Sequence, residues 1–293
     1  MRIIDAHHHI WDPSANPHPW LTGPPIPFRY GAYEALRKPF LWADYDRVAE
    51  GWDVAASVTM EGEWDPGDPL GESTWLNGLP RRPQAHAAQA WLDAPDVDAV
   101  LAAHGADPLV RSVRHKPRSN FAPGGGAGGM TAPAFIAGFK RLAVHGLMFE
   151  LQTPWWHLDE AVRLAAHAPD VPIVLNHAGL PSDRSADGLA GWRAAMQRFA
   201  AVPRAIVKIS GLGLVGGGWD PDTNRIVIRQ TIEMFGPERC MFASNYPVDS
   251  LCASFDTIWR GFDEATADLG ADARAWLFHR TAATVYNIDM EAC

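Results

Sequence analysis

Short apolar segments recur along the chain, and most are followed by a loop and a stretch of helix-like spacing. Eight such segments are present, at residues 2–10, 54–61, 84–91, 109–115, 147–152, 172–177, 205–210 and 240–245. Some are apolar at consecutive positions, as in Ile173-Val174-Leu175, which is typical of parallel strands buried on both faces. Repeated strand-helix units with right-handed crossovers close into a barrel. The pattern therefore predicts an α/β fold, a (β/α)₈ TIM barrel, with residues 1–293 forming a single domain.

Helix-like segments lie between these runs, at residues 96–104, 132–144, 158–168, 188–201, 222–235, 255–269 and 272–286. Asp222, Thr223 and Ser254 suit helix N-caps, and Gly146 suits a helix end. Two long loops interrupt the rhythm: residues 13–39 contain seven prolines and residues 120–133 contain five glycines. Both follow the carboxyl end of a predicted strand, where barrel active sites form, so each either shapes a site or is a tolerated surface insertion.

Composition narrows the functional classes. The chain has 293 residues, and 25 Lys and Arg against 34 Asp and Glu give a net charge of −9, which disfavours nucleic-acid binding. The three cysteines, Cys240, Cys252 and Cys293, lack the spacing of a zinc ribbon and are odd in number, which argues against a disulfide framework. No apolar stretch has the length of a signal peptide or membrane span, so we expect a cytoplasmic protein with no membrane partner. A homo-oligomer is compatible with the sequence.

Polar residues with catalytic chemistry follow three of the predicted strands. His7 and His9 fall on one face of the first strand and His8 on the other, so two imidazoles can converge on a divalent metal. A satisfied polar cluster would also account for adjacent histidines. His177 ends the sixth run, either as a functional group or as a structural histidine bonded to backbone. Asn245 ends the eighth run.

Seven segments in this order resemble the amidohydrolase superfamily, in particular the amidohydrolase-related branch that contains sugar-lactone and pyrone-dicarboxylate lactonases. They are IDAHHHIWD at residues 4–12, EGEWDP at 61–66, VRH at 113–115, FELQ at 149–152, LNHAG at 175–179, VKISGL at 207–212 and CMFASNYP at 240–247. The resemblance covers essentially the whole chain. It implies a barrel hydrolase in which His7, His9 and His177 bind one divalent metal, zinc above all, or polarise the substrate carbonyl in metal-free members.

The chain departs from the family pattern at Asn245, where the resemblance implies an aspartate that acts as metal ligand and general base. A neutral amide binds a cation weakly and does not accept a proton at neutral pH. Three alternatives follow: Asp249 on the next loop supplies the base, Glu61 or Glu150 supplies the carboxylate, or the site binds no metal. These residues, with His177, are the catalytic candidates.

The function expected from this resemblance is hydrolysis of a small sugar-acid or carboxylated lactone by water. The ring carbonyl would be polarised by the histidines or their metal. Candidate substrate-binding residues are the strand-end and loop side chains Arg114, His115, Arg118, Gln152, Trp155 and Lys208, with a solvated loop as the alternative for the basic cluster. We expect a small, anionic substrate. Two other functions fit the sequence: a metal-dependent decarboxylase, or a degenerate barrel that binds a small ligand without turnover.

Overall fold

Eight parallel strands follow one another around a single sheet in the computed structural model, which describes residues 1–118, 122–216 and 218–291. The strands are β1 (Arg2–His8), β2 (Asp53–Met60), β3 (Ala85–Gln89), β4 (Val110–His115), β5 (Met148–Leu151), β6 (Ile173–Leu175), β7 (Ala205–Ile209) and β8 (Cys240–Phe242). The segment after β8 returns to β1, because the Asn245 amide donates to the His7 carbonyl at 2.8 Å and the His9 amide to the Tyr246 carbonyl at 2.7 Å. The predicted (β/α)₈ barrel is confirmed.

Eleven α-helices are assigned in the described chain. They are α1 (Pro19–Thr22), α2 (Trp42–Val48), α3 (Gly71–Gly78), α4 (Val97–Ala106), α5 (Pro133–His145), α6 (Leu158–Ala165), α7 (Ala186–Ala200), α8 (Pro221–Phe235), α9 (Phe255–Ala265), α10 (Ala271–Ala275) and α11 (Thr281–Tyr286). A π-helical turn, Trp276–Arg280, joins the last two. Short 3₁₀ turns lie at Glu34–Leu36, Trp155–His157, Asn176–Gly179, Pro237–Arg239 and Val248–Leu251.

Helix ends agree with the sequence prediction at some positions and differ at others. The Ser254 hydroxyl accepts from the Thr257 amide at 3.0 Å and caps α9, and Gly146 ends α5 with a left-handed φ of 67°. The predicted cap of α8 is wrong: the N-cap is Asp220, and Asp222 lies in the first turn. Pro221 occupies the first helical position, where a missing amide hydrogen costs nothing.

The long loop after β1 is only partly irregular. Residues 13–39 contain the short helix α1 and one 3₁₀ turn, and α2 and α3 follow the first two strands although no amphipathic pattern predicted them. The glycine-rich loop after β4 leads into α5. Asn120 and Cys293 lie outside the described residues. No helix of the described chain is long and apolar enough to span a membrane.

The core has two layers, as a barrel requires. Inside the barrel, apolar side chains from alternate strand positions, such as Ile4, Val58, Val174 and Met241, pack with Tyr286 from α11. A larger apolar layer fills the space between strands and helices. Because both faces of every strand are covered, polar side chains concentrate at the carboxyl ends of the strands.

Candidate active site

His7 and His9 point toward the mouth of the barrel because the register of β1 with β2 shifts in this part of the strand. The shift lies between Asp5 and His8, where β1 carries one extra residue. Such a bulge re-aims the side chains that follow it. The rings of His7 and His9 lie 5.2 Å apart, whereas the His8 ring packs 4.5 Å from Tyr45, outside the barrel. His7 and His9 therefore share one face of the strand, and His8 points to the other side.

His177 joins this pair from the turn Asn176–Gly179, which follows β6. Its φ of +55° lies in the left-handed region, which few non-glycine residues adopt. The ring lies 4.6 Å from the His7 ring, and Nδ1 is 2.9 Å from the Ser210 hydroxyl. The turn thus places a third imidazole against the first two.

All three imidazoles are neutral at ordinary pH. Burial lowers the pKa of His7, His9 and His177 well below the usual value, and the positive charge of Arg114 lowers it further. Nδ1 of His9 is hydrogen-bonded to the Met60 carbonyl at 3.1 Å. Both ring nitrogens of His7 are buried without a hydrogen-bond partner among the described residues. A neutral imidazole carries one N–H and one lone pair, so His7 offers both to a bound molecule.

Asn245 lines the site next to β1, and Asp249 is buried beside it. The Asn245 amide donates from Nδ2 to Oδ1 of Asp249 at 2.6 Å, and the Tyr30 hydroxyl donates to the same oxygen at 2.9 Å. Burial raises the pKa of Asp249 to about 6, while Arg29 and these hydrogen bonds oppose the rise. Asp249 therefore changes charge just below neutrality, which suits a general base.

Arg114 lines the same site as the histidines and Asn245. Its Nε lies 2.5 Å from Oε1 of Glu61 and its Nη1 lies 3.1 Å from the Gln152 amide oxygen. Lys116, two residues further along, pairs with Glu63. Two members of the basic cluster after β4, Arg114 and Lys116, are therefore held by acidic partners and line the cavity.

These groups enclose a cavity of about 220 Å³, large enough for one small ring. The side chains around it come from the strand ends and from the loop after β1, and they are His9, Trp11, Trp20, Ile26, Pro27, Phe28, Arg29, Glu63, Arg114, Lys116, Gln152, His177, Asn245 and Val248, with Gly62.

The loop after β1 covers this cavity with residues that sequence reasoning did not single out as binding groups. The Trp20 and Phe28 rings stack at 5.6 Å. Arg29 donates from Nη2 to the Gly211 carbonyl at 2.7 Å, and its buried Nη1 has no partner within the described chain. The sequence does place Arg29 between two aromatic residues in a loop that follows a strand, and this pattern could have indicated a binding group. The local sequence does not show, however, that this loop folds over the barrel mouth.

Three predicted substrate-binding side chains lie elsewhere. His115 points into the helix layer, where its Nδ1 accepts from the Leu92 amide at 3.0 Å, because neighbouring strand residues face opposite sides. Trp155 packs over Gly191 of α7 and does not line the cavity. Arg118 is exposed on the loop after β4 and likewise does not line it.

Glu150 and Lys208 face the barrel interior. Lys208 Nζ is 3.1 Å from Oε2 of Glu150, and both side chains are fully buried. Asn176, Ser112 and Tyr286 also hydrogen-bond to the Glu150 carboxylate. A carboxylate with this many partners links the surrounding strands and is enclosed by protein groups.

The donor set for a metal ion is incomplete. Within the described chain, no group of three or more His, Cys, Asp or Glu residues is placed so that it could hold a metal ion. The position expected to supply a carboxylate is the neutral Asn245. The positive charges of Arg114 and Lys208, which lower the pKa of the His7 imidazole, would also repel a divalent cation. The side chains as placed therefore do not fit a resident divalent metal.

Comparison with known proteins agrees with this fold. The sequence model of the amidohydrolase family matches residues 4–288. The chain belongs to the amidohydrolase family. This confirms the family resemblance, and the chain is an enzyme of that family. Its members typically depend on a divalent metal.

Individual proteins are similar to this chain along nearly its whole length. The uncharacterized protein y4mH of Sinorhizobium fredii is 36% identical over 98% of this chain and 99% of that protein. An L-fucono-1,5-lactonase of Burkholderia ambifaria is 28% identical over 98% of this chain and 96% of that protein. A crystal structure of an amidohydrolase from Burkholderia multivorans with bound zinc has a TM-score of 0.82 at 25% identity, covering 99% of this chain and 100% of that chain.

Proposed function

We propose that the protein hydrolyses a small lactone by attack of water on the ring carbonyl. The observation that carries this proposal is a small cavity lined by the neutral imidazoles of His9 and His177 and by Asn245, with the His7 ring buried against His177 and the Asp249 carboxylate hydrogen-bonded to Asn245. The similarity to an L-fucono-1,5-lactonase supports the same reaction class.

In this mechanism the carbonyl oxygen faces the imidazoles. A buried, unpartnered N–H of His7 donates to the oxygen as negative charge develops on it, and stabilisation of this charge is commonly the largest catalytic contribution. His9 and His177 line the cavity, with their Nδ1 atoms held by the Met60 carbonyl and the Ser210 hydroxyl. Because Nδ1 of His9 donates to a carbonyl, its Nε2 presents a lone pair and no N–H. The histidines thus act as neutral hydrogen-bonding groups.

Asp249 serves as the base. Its carboxylate takes a proton from the attacking water, whose oxygen forms the new bond to carbon. The bond from that carbon to the ring oxygen then breaks, and the proton returns to the leaving alkoxide to give a hydroxy acid. Glu61 and Glu150 are less suited to this role because each is ion-paired, to Arg114 and to Lys208, whereas the side chains that hydrogen-bond to Asp249, Asn245 and Tyr30, are neutral.

Arg29 favours a substrate that carries an anionic group. Its unpartnered Nη1 is part of a guanidinium that lines the cavity and lowers the pKa of both His177 and Asp249. Arginine binds carboxylates with paired hydrogen bonds. The zinc that the sequence analysis expected at His7, His9 and His177 does not fit the side chains as placed in the described chain, and no step of this mechanism depends on a metal.

A panel of small lactones tests the proposal. Purified protein is mixed with lactones with and without a ring carboxylate, and acid release and carbon dioxide are measured together. We expect acid release without carbon dioxide, faster for carboxylated rings. Carbon dioxide release would indicate the decarboxylase alternative, and tight binding without turnover would indicate a degenerate binding barrel.

A further inference from the structure

A second cavity lies beside the catalytic one and has a different character. Its volume is about 550 Å³, larger than the 220 Å³ of the catalytic cavity. Prolines and tryptophans make up much of its wall, with Pro24, Pro66, Trp64 and Trp91 among them. These side chains present flat, apolar surfaces, and such a lining is typical of sites for apolar or aromatic ligand groups.

The two cavities are adjacent and share part of their walls. Five residues line both of them: Trp20, Ile26, Glu63, Arg114 and Lys116. The ion pair of Lys116 and Glu63 therefore stands at the boundary, with charged atoms available to both compartments. A molecule whose lactone ring occupies the catalytic cavity can extend past this boundary without leaving the protein surface.

The exposed rim of the second cavity is apolar. Ile26 has 47% of its surface exposed, and Pro24 and Pro66 beside it are exposed as well. Contiguous exposed apolar groups commonly mark binding sites. On the inner side, the Trp91 ring is held at 5.4 Å by the buried His115 ring, so the wall is fixed from behind.

We propose that this second cavity is a substrate subsite that receives an apolar ring, so that the preferred substrates are anionic lactones with an aromatic or alicyclic substituent. This inference rests on the proposed lactone hydrolysis and adds the substrate class. The lactone carbonyl faces the histidines, the anionic group faces Arg29, and the apolar ring lies between Trp64, Trp91 and Ile26.

The test compares two lactones, γ-carboxy-γ-butyrolactone and its phenyl-substituted analogue. We expect kcat/KM of the wild-type protein to be about tenfold or more higher for the phenyl compound, because burial of a ring contributes this much binding energy. Trp91→Ala and Ile26→Ser should each bring the ratio of the two kcat/KM values toward one. Ile26 is exposed, so its variant tests the subsite even if Trp91→Ala fails to fold.

Val144→Ser is the matched control, since Val144 is an aliphatic residue of α5 with 62% of its surface exposed and lines neither cavity. It should leave the ratio at the wild-type value. A wild-type ratio near one, or a high ratio that Trp91→Ala and Ile26→Ser leave unchanged, would overturn the subsite while lactone hydrolysis stands. Failure to hydrolyse either lactone or any other member of the lactone panel would overturn the proposed function itself.

Discussion

The Asn245 side-chain amide donates a hydrogen bond of 2.6 Å to the Asp249 carboxylate. Asn245 lines the catalytic cavity and Asp249 is buried beside it, so the pair connects the cavity to an ionisable group. A position that the family pattern assigns to an aspartate is thus neutral here, and the carboxylate lies four residues further along. Because the carboxylate is at position 249 and not at position 245, we derive predictions for the general base, for the pH dependence of activity and for metal binding.

Replacement of the proposed base should abolish most of the activity. Asp249→Asn keeps the shape of the side chain and removes its ability to accept a proton, so kcat should fall by about a hundredfold or more. Asp170→Asn, at an exposed position, is the control and should have wild-type kinetics. Steady-state assays on the lactone panel measure both, and an Asp249→Asn variant with wild-type kcat would remove Asp249 from the mechanism.

The activity should depend on pH through Asp249. Its pKa is raised to about 6 and the carboxylate form is the active one, so kcat/KM should be constant above that pH and fall tenfold per unit well below it. Burial lowers the pKa of each of the three histidines, which favours their neutral form. A profile measured from pH 5 to pH 8 checks this. A decline toward high pH alone would contradict it.

Tyr30 should tune this profile. The hydrogen bond from its hydroxyl stabilises the charged form of Asp249 and lowers the pKa, so Tyr30→Phe should move the acidic limb to higher pH. Tyr33→Phe is the matched control from the same loop, because the Tyr33 hydroxyl donates to the Trp20 carbonyl instead. An unshifted limb in Tyr30→Phe would mean that the limb does not report Asp249.

A carboxylate at position 245 should create metal affinity. Asn245→Asp adds an anionic oxygen donor near the imidazoles and offsets the positive charge around them, both of which favour zinc. Elemental analysis of protein purified without added metal should show little zinc in the wild type and more in the variant. A wild-type protein that carries one metal per chain, and loses activity with a chelator, would show that the imidazoles rearrange to bind metal.

The Arg114 and Glu61 pair should be important for stability. Their side chains are only 2% and 4% exposed, so Glu61→Gln leaves a buried arginine without its counter-ion and should cost about 3–5 kcal/mol. Asp159→Asn breaks the Arg198 pair, whose side chains are about half exposed, and should cost about 1 kcal/mol or less. Chemical denaturation measures both. Equal losses would show that burial does not govern these pairs.

One wrong prediction about the site, that His115 binds substrate, could have been avoided from the sequence alone. Arg114 and His115 are neighbours on one strand, so they were bound to face opposite sides, and only one of them could line the cavity. Trp155 is different: its 3₁₀ turn directs the ring onto α7, and no sequence pattern describes that turn.

The barrel follows from local sequence patterns, because strand and helix periodicities are local and eight strand-helix repeats permit few other closures. The sequence also identified His7, His9, His177 and Asn245 as strand-end groups. Three features could be seen only in the folded chain: the bulge that directs the side chains of His7 and His9, the hydrogen-bond partners of Asp249, and the position of Arg29 at the cavity. These depend on contacts between segments far apart in the chain, such as Tyr30 with Asp249, and local periodicity carries no information about such contacts.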